Sequence, residues 1–215
     1  AEAEIPVVAP LVDAAGETVH RWGELLFAVF PRRGGHAPEL DNPDNLVVLG
    51  RTLGRIHAVG AVRPFEHRPA LDPGAVLQEA RTLLPGNFVP GDLCDSYLSL
   101  LADVQRELLP RLESLQAEDL IRVHGDCHGG NILWRDGTAQ FVDLDDCLSA
   151  PAIQDLWMFL SGERHEQELQ LGEVIAGYEE FFDFPARQLH WIESLRTLRI
   201  VRHATWLARR WDDPA

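Results

Sequence analysis

The fold is most constrained by a segment near the middle of the chain, where glycines and polar residues are followed by two short apolar runs. It reads Val123-His-Gly-Asp-Cys-His-Gly-Gly-Asn-Ile-Leu-Trp134. Residues 132–134 and 139–142 are strand-like, and the Asp136-Gly137 pair between them is typical of tight hairpin turns. The segment therefore predicts a β-hairpin that follows a glycine-rich loop.

The expected register of this hairpin brings three oxygen-bearing side chains together. Trp134 pairs with Ala139, so the open end of the hairpin places Asn131 beside Asp143. Asp126 lies on the loop, five residues before the asparagine. Amide and carboxylate oxygens are hard ligands that suit Mg²⁺, which takes further oxygens from water and phosphates. With a separate aspartate to orient or deprotonate a hydroxyl, the arrangement predicts phosphoryl transfer.

The His-Gly-Asp-x-His-x-x-Asn motif of residues 124–131, with Asp143 after the hairpin, resembles a family. It is similar to the phosphotransferase branch of the protein-kinase-like fold, which includes aminoglycoside phosphotransferases and choline kinases. The resemblance implies that Asp126 is the catalytic base and that Asn131 and Asp143 hold Mg²⁺ against ATP. Asp126 and Asp143 are therefore the expected catalytic residues, and His124 is expected to structure the loop.

Longer blocks resemble the bacterial stress response kinase A family, whose members are assigned as serine/threonine protein kinases. These blocks are residues 27–35, 53–57, 124–137, 141–146, 151–158 and 206–214. The first block is similar to the hinge between the two lobes of that family. The resemblance implies that the backbone at Val29 and Phe30 receives the adenine of ATP, and that the acceptor is a Ser or Thr hydroxyl of a protein.

We therefore expect an α+β, protein-kinase-like fold with a partial small β lobe and a mainly helical large lobe. Residues 1–30 would be a remnant of the small-lobe strands, and residues 31–44 the hinge or connector. The large lobe would span residues 45–215, with the catalytic loop at 124–131 and the metal-binding segment at 141–146.

Helical spacing of apolar residues begins after the connector and returns from residue 151 to residue 211. The first helix has Asp41 or Asp44 as its candidate N-cap, and a second begins at the Asp72-Pro73 pair. A long amphipathic helix is expected over residues 93–115, with a bend near Pro110. The arginines of the last helix are expected on its polar face.

Composition excludes several function classes. The chain carries 34 acidic and 19 basic residues, a formal charge of −15, so no nucleic-acid partner is expected. It has no apolar run of about 18 residues, so no membrane span is expected either. The 3 cysteines have no paired spacing, which fits a reducing compartment. We expect a cytoplasmic monomer.

All 19 basic residues are arginines, so the chain contains no lysine. A kinase small lobe supplies a glycine-rich phosphate loop and a strand lysine that contacts the phosphates of ATP. Neither is found before residue 27, and the chain starts at Ala1. We therefore expect a piece of a longer kinase, truncated in the N-terminal lobe and at the C-terminus, that transfers phosphate poorly alone.

Other functions stay open at this point. A small-molecule kinase acting on an aminoglycoside, choline or a sugar would use the same site. A metal-dependent hydrolase would use His124, Asp126, His128 and Asp143, and Cys127 could join a zinc site. A pseudokinase or binding module would also account for the missing lysine.

Four residues have local interpretations besides the functional ones. Asp145 and Asp146 could reach a second metal ion, but a helix cap near residue 151 or a solvated position is favoured. Cys127 is interpreted as a small filler in a tight loop. His57, between apolar positions of the first helix, is interpreted as a buried, hydrogen-bonded histidine.

Overall fold

The computed structural model describes residues 5–213. The ends of two expected segments, residues 1–4 of the small-lobe remnant and residue 214 of the last block, lie outside the described residues. The described residues form three two-stranded antiparallel sheets, and most of the remaining elements are helices. This arrangement confirms the α+β class.

The N-terminal part forms a hairpin, as its apolar runs and turn residues indicate. Strands β1 (His20–Trp22) and β2 (Leu25–Phe27) pair antiparallel. Upstream, the carboxylate of Asp13 accepts the N–H groups of Ala15 and Glu17 at 2.8 and 2.9 Å, which closes a turn before the hairpin. The side chains of this hairpin are largely exposed.

The central hairpin has the predicted register. Strand β4 (Ile132–Arg135) pairs antiparallel with β5 (Thr138–Phe141), and Trp134 lies opposite Ala139. The turn between them places Asp136 and Gly137 at φ values of 51° and 70°. These left-handed angles suit an Asp-Gly pair, so the local sequence specifies the turn and, through it, the register.

The N-terminal segment holds the central hairpin on both of its edges. The backbones of His36 and Trp134 exchange hydrogen bonds of 3.1 and 2.8 Å, and Val7 forms a parallel bridge to Phe141. A Cβ at Gly35 would lie 2.9 Å from the side chain of the neighbouring strand. The glycine therefore lets the connector pass this closely.

The remaining elements form the helical part and one further strand pair. The helices are α1 (Pro43–Gly60), α2 (Pro73–Leu83), α3 (Cys94–Leu112), α4 (Ile153–Leu156), α5 (Arg164–Tyr178) and α6 (Ile192–Arg209). The strand pair joins β3 (Ile121–Val123) to β6 (Leu148–Ala150), and the sequence pattern did not predict β6. None of the helices in the described part of the chain combines the length and apolar character needed to cross a bilayer.

The N-caps show one wrong prediction and one confirmed prediction. The first helix is capped by Asn42, whose side chain accepts the N–H of Asp44 at 3.0 Å, and not by Asp41 or Asp44. The predicted cap of α2 is confirmed, because Asp72 accepts the N–H of Ala75 at 2.9 Å.

Helices α1 and α5 pack in backbone contact at small residues. A Cβ at Gly50 would collide with the carbonyl oxygen of Val174, and one at Gly177 would collide with that of Val47. Gly54 is equally confined, by the last residue of α5. This close approach fixes the two helices relative to each other. It thereby positions two buried side chains, His57 of α1 and Tyr178 of α5, which hydrogen-bond to each other.

We expect Gly177→Ala to lower the free energy of unfolding by about 2–3 kcal/mol, because the added methyl group overpacks the contact. The matched control is Gly172→Ala on the same helix, where a Cβ would meet nothing within 4 Å. It should leave stability unchanged or raise it by up to about 1 kcal/mol, since alanine favours helix. Urea unfolding of both variants measures the difference. Equal stabilities would show that the contact is not this tight.

Candidate active site

The loop at residues 124–131 connects β3 to β4, and a buried carboxylate holds its backbone. Asp155, in α4, is fully buried. Its two carboxylate oxygens accept the N–H groups of His124 at 2.7 Å and Gly125 at 2.9 Å. Gly125 has a φ of 87°, and a Cβ there would collide with the carbonyl of Asp146. The loop therefore makes a sharp turn that only glycine accommodates.

Asp155 is in turn held by a histidine and a tyrosine, all three with buried side chains. His57 Nε2 lies 3.0 Å from Asp155 Oδ2, and His57 Nδ1 lies 2.9 Å from the hydroxyl of Tyr178. Burial and the charge of Asp155 raise the pKa of Tyr178, so its hydroxyl stays protonated and donates to Nδ1. His57 then donates from Nε2 to Asp155. The interpretation of His57 as buried and hydrogen-bonded is confirmed.

Sequence reasoning did not single out Asp155 or Tyr178. Asp155 lies in the block 151–158 that carries the family resemblance, where it stands among apolar residues. A carboxylate inside an otherwise apolar run was the available signal, because such a group needs buried partners. Tyr178 gave no comparable signal.

His124 structures the loop with both of its ring nitrogens. Nε2 lies 2.8 Å from the carbonyl oxygen of Val142, which can only accept, so Nε2 carries the proton. Nδ1 accepts the N–H of Asp126 at 3.3 Å. His124 is therefore engaged with the backbone and unavailable as a metal ligand, which removes one residue from the hydrolase alternative.

Asp126 lies on the loop with its carboxylate toward a cavity, and its side chain is 21% exposed. Arg199 of α6 donates to Oδ1. Asn131 Nδ2 lies 3.3 Å from Oδ2, and His128 Nε2 lies 3.4 Å from the same oxygen. The carboxylate is therefore oriented by neighbours from two separate parts of the chain. The contact from Arg199 is one that sequence analysis missed.

Asn131 and Asp143 flank the open end of the hairpin, as the register predicts. The N–H of Val142 donates to the carbonyl of Asn131 at 3.0 Å. The Asn131 amide nitrogen donates to Asp126, so its amide oxygen is the atom that remains for a cation. Asp143 is exposed and left-handed, with φ 63° and ψ 64°, a conformation that aspartate tolerates better than most residues. These oxygens fit the ligand preference of Mg²⁺.

A cavity of about 650 Å³ opens between the loop, residues 143–146 and helix α6. Asp126 and Asp143 line it on the side of the loop, and Arg199, Arg202 and Trp206 line it on the side of α6. Its volume lies within the range of small-molecule binding sites, about 300–1,000 Å³. The cavity therefore has room for a reacting group next to Asp126.

The expected helix-capping role of Asp145 and Asp146 is wrong. Residues 144–146 form a single 3-10 turn, and β6 follows it before any helix begins. Asp146 instead accepts from Arg202 of α6 at 2.6 Å. The side chain of Asp145 is exposed, as the solvated alternative predicted, while its carbonyl accepts from Arg68.

A transition-metal site receives no support from the described residues. Across residues 5–213, no group of three or more His, Cys, Asp or Glu side chains is arranged to hold a metal ion. Cys127 is fully buried, and burial raises the pKa of its thiol well above the usual value, which fits the filler interpretation. Burial likewise raises the pKa of Cys147 to about 11. Mg²⁺ needs fewer protein ligands, since it keeps waters and binds phosphate oxygens.

The expected adenine-binding segment lies apart from this cavity. Val29 and Phe30 come directly after β2, and both side chains are about half exposed. The carbonyl of Val29 accepts the N–H of Leu11 at 2.7 Å. Neither residue lines the cavity beside Asp126. Their role in binding adenine stays a prediction.

The loop, the hairpin and the helical part have the arrangement of a kinase-like phosphotransferase. The sequence profile of the phosphotransferase enzyme family, APH, matches residues 1–190. The chain belongs to this family. It is 44% identical over 215 residues to stress response kinase A of Escherichia coli strain K12. It is 42% identical over 221 residues to the serine/threonine protein kinase RdoA of Salmonella typhimurium. Both alignments cover 99% of this chain and 64% of the relative.

Solved structures confirm the protein-kinase-like fold. An amicoumacin kinase in complex with AMP-PNP, Ca²⁺ and Ami superposes with a TM-score of 0.76 at 21% identity, covering 99% of this chain and 67% of the other. Spectinomycin phosphotransferase in complex with ADP and spectinomycin gives a TM-score of 0.68 at 16% identity, covering 97% and 68%. A microcompartment-associated aminopropanol kinase gives 0.70 at 20% identity, covering 96% and 69%.

Proposed function

We propose that the protein is an ATP- and Mg²⁺-dependent phosphotransferase that acts on a Ser or Thr hydroxyl of a protein. The observation that carries the proposal is the placement of Asp126 and Asp143 on one cavity, with Asn131 hydrogen-bonded to Asp126. Membership of the phosphotransferase family supports the reaction class. The name of one relative at 42% identity, the serine/threonine protein kinase RdoA, supports the protein acceptor.

Each residue then has a chemical role. Asp126 accepts or orients the proton of the acceptor hydroxyl, because its carboxylate faces the cavity and is held in orientation by its neighbours. The amide oxygen of Asn131 and the carboxylate of Asp143 hold Mg²⁺, which when bound neutralises charge on the phosphates of ATP. Asp155 keeps the loop backbone in the shape that this alignment requires.

The remaining assignments rest on weaker observations. We propose that adenine binds the backbone at Val29 and Phe30, using groups other than the Val29 carbonyl, which Leu11 already occupies. We also propose that the protein is cytoplasmic, since Cys94, Cys127 and Cys147 are all free thiols. A monomeric state is proposed with it.

A small-molecule kinase is the second candidate, and the volume of the cavity is compatible with it. A space of about 650 Å³ beside Asp126 suits a small molecule as well as a single side chain. Labelled ATP offered with generic protein substrates, aminoglycosides and choline separates the two candidates. Transfer of label to the small molecules alone would replace the protein acceptor in our proposal.

The metal assignment predicts a shift in Mg²⁺ dependence. In the full-length protein, we expect Asp143→Ala to raise the Mg²⁺ concentration that half-saturates nucleotide binding by at least about tenfold, since one of two protein ligands is lost. A fluorescent ATP analogue reports binding directly. Asp136→Asn is the control, because Asp136 is the other left-handed aspartate near this site, lies in the exposed turn of the hairpin, and can be replaced by asparagine, which also tolerates that conformation. An unchanged Mg²⁺ titration of Asp143→Ala would contradict the assignment.

A further inference from the structure

The cavity wall that faces the loop is formed by one face of α6. Its polar and aromatic positions recur every three or four residues, so they lie on the same side of the helix. The positions that line the cavity are Arg199, Arg202, His203, Trp206 and Arg209, together with Arg210, which directly follows the helix. The last helix therefore presents a strongly basic surface to the site, although the chain as a whole carries a formal charge of −15.

The two arginines nearest the loop are paired with carboxylates that line the cavity. Arg199 donates to Asp126, and Arg202 donates to Asp146 at 2.6 Å. Asp143 and Asp145 also line the cavity beside these pairs, so carboxylates outnumber arginines at the inner end, where ATP and Mg²⁺ are proposed to meet.

The outer end of the cavity has a different charge balance. The guanidinium of Arg210 lies 4.6 Å from the centre of the Trp206 ring, and this ring stacks on His203 with an interplanar angle of 12°. Arg209 forms an ion pair with Glu79, the carboxylate that lines this end. Among the residues that line this end, two guanidinium groups face one carboxylate beside a flat aromatic surface, which leaves a net positive charge in the lining.

Resting on the proposed function, we propose that the acceptor is anionic: its hydroxyl lies at Asp126, and a carboxylate or phosphate group binds the outer arginines, Arg209 and Arg210. Guanidinium groups bind such planar or tetrahedral anions with paired hydrogen bonds. A cationic acceptor, such as an amine-rich antibiotic or choline, would meet charges of its own sign at this end. The anion is supplied either by an acidic residue near a Ser or Thr in a polypeptide or by a small phosphorylated or carboxylated molecule.

The test uses the full-length protein and three peptides that share one serine and differ only in having neutral, glutamate or arginine neighbours. We expect kcat/KM for the acidic peptide to exceed that for the neutral one by about tenfold at low salt, with the basic peptide lowest. Added salt should reduce the preference, because the outer end of the cavity is open to solvent. A hydroxylated sugar phosphate, assayed alongside, shows whether a small anion serves better than the acidic peptide.

Substitution of Arg210 tests whether α6 causes the preference. We expect Arg210→Gln to lower the acidic-to-neutral ratio of kcat/KM by about threefold and Arg210→Glu to lower it by about tenfold. Arg164→Gln, on the exposed start of α5 where Arg164 pairs with Glu168, should leave the ratio unchanged.

The outcomes separate the inference from the function on which it rests. If the protein phosphorylates the basic peptide or a cationic small molecule best, the acceptor is not anionic, while the phosphotransferase proposal stands. An unchanged ratio in Arg210→Glu likewise overturns the inference. If no acceptor is phosphorylated, or phosphorylation persists undiminished in Asp126→Asn, the proposed function itself is wrong.

Discussion

Asp126→Asn in the full-length protein is expected to lower kcat by about a thousandfold while nucleotide affinity stays within about twofold, since proton acceptance by a positioned base contributes roughly 10²–10⁴ to rate. Asparagine has the same shape, and its carbonyl oxygen can still accept the hydrogen bond from Arg199. It cannot accept a proton from a hydroxyl. The loss should therefore appear in turnover and not in ATP binding.

The measurement is initial-rate transfer from labelled ATP, combined with titration of a fluorescent ATP analogue. Asp103→Asn is the matched control, because Asp103 also pairs with an arginine, at 2.8 Å, but lies on α3 away from the cavity beside Asp126. It should keep normal turnover. If Asp126→Asn retained more than about a tenth of kcat, another group would be the base.

Asp155→Ala is expected to lower the free energy of unfolding by about 3–5 kcal/mol, as is typical when a buried charged partner is removed. The carboxylate accepts from His124, Gly125 and His57, so its loss leaves three buried donors without their acceptor. The loop would also lose the contacts that fix its backbone. We therefore expect kcat per folded molecule to fall at least about tenfold, since small displacements of catalytic groups slow the reaction strongly.

A second buried aspartate separates stability from positioning. Asp119 is also buried and pairs with Arg187, but it lies before β3 and touches no part of the loop. Asp119→Ala should lower stability to a similar extent and leave kcat per folded molecule unchanged. If Asp155→Ala is too unstable to assay, His57→Gln gives a milder version, with Asp155 still present. Normal kcat in His57→Gln and in folded Asp155→Ala would show that this chain of contacts does not position the loop.

Local sequence was sufficient for the part of the site that lies on the hairpin. The Asp-Gly turn sets the pairing of Trp134 with Ala139. Continued pairing along the two strands then places Asn131 next to Asp143 at the open end of the hairpin. These contacts join residues close in sequence, so short-range pattern specifies them. The same motif, read with the longer blocks around it, was enough to predict the family that the sequence profile confirms.

Local pattern failed where a residue's role depends on an element that is distant in sequence. The strand β6 has three residues, and it is a strand because β3 lies beside it. Asp146 was expected to cap a helix or to be solvated, but its side chain pairs with Arg202, 56 residues later. The N-cap of α1 is Asn42 and not a neighbouring aspartate. Several residues that can cap a helix lie within three positions of each other, and the exact start of the helix decides which of them does so.

Short-range spacing in the sequence thus predicted the phosphotransferase family, the hairpin and the candidate oxygen ligands. Tertiary packing determined which hydrogen-bond partners and which charged neighbours these groups have. Arg199 reaches Asp126 across 73 residues, and His57 reaches Asp155 across 98. Such pairs form only when whole helices dock, and burial at their contact then requires each polar group to find a partner. The basic wall of α6 has the same origin, because only packing decides which face of a helix meets the site.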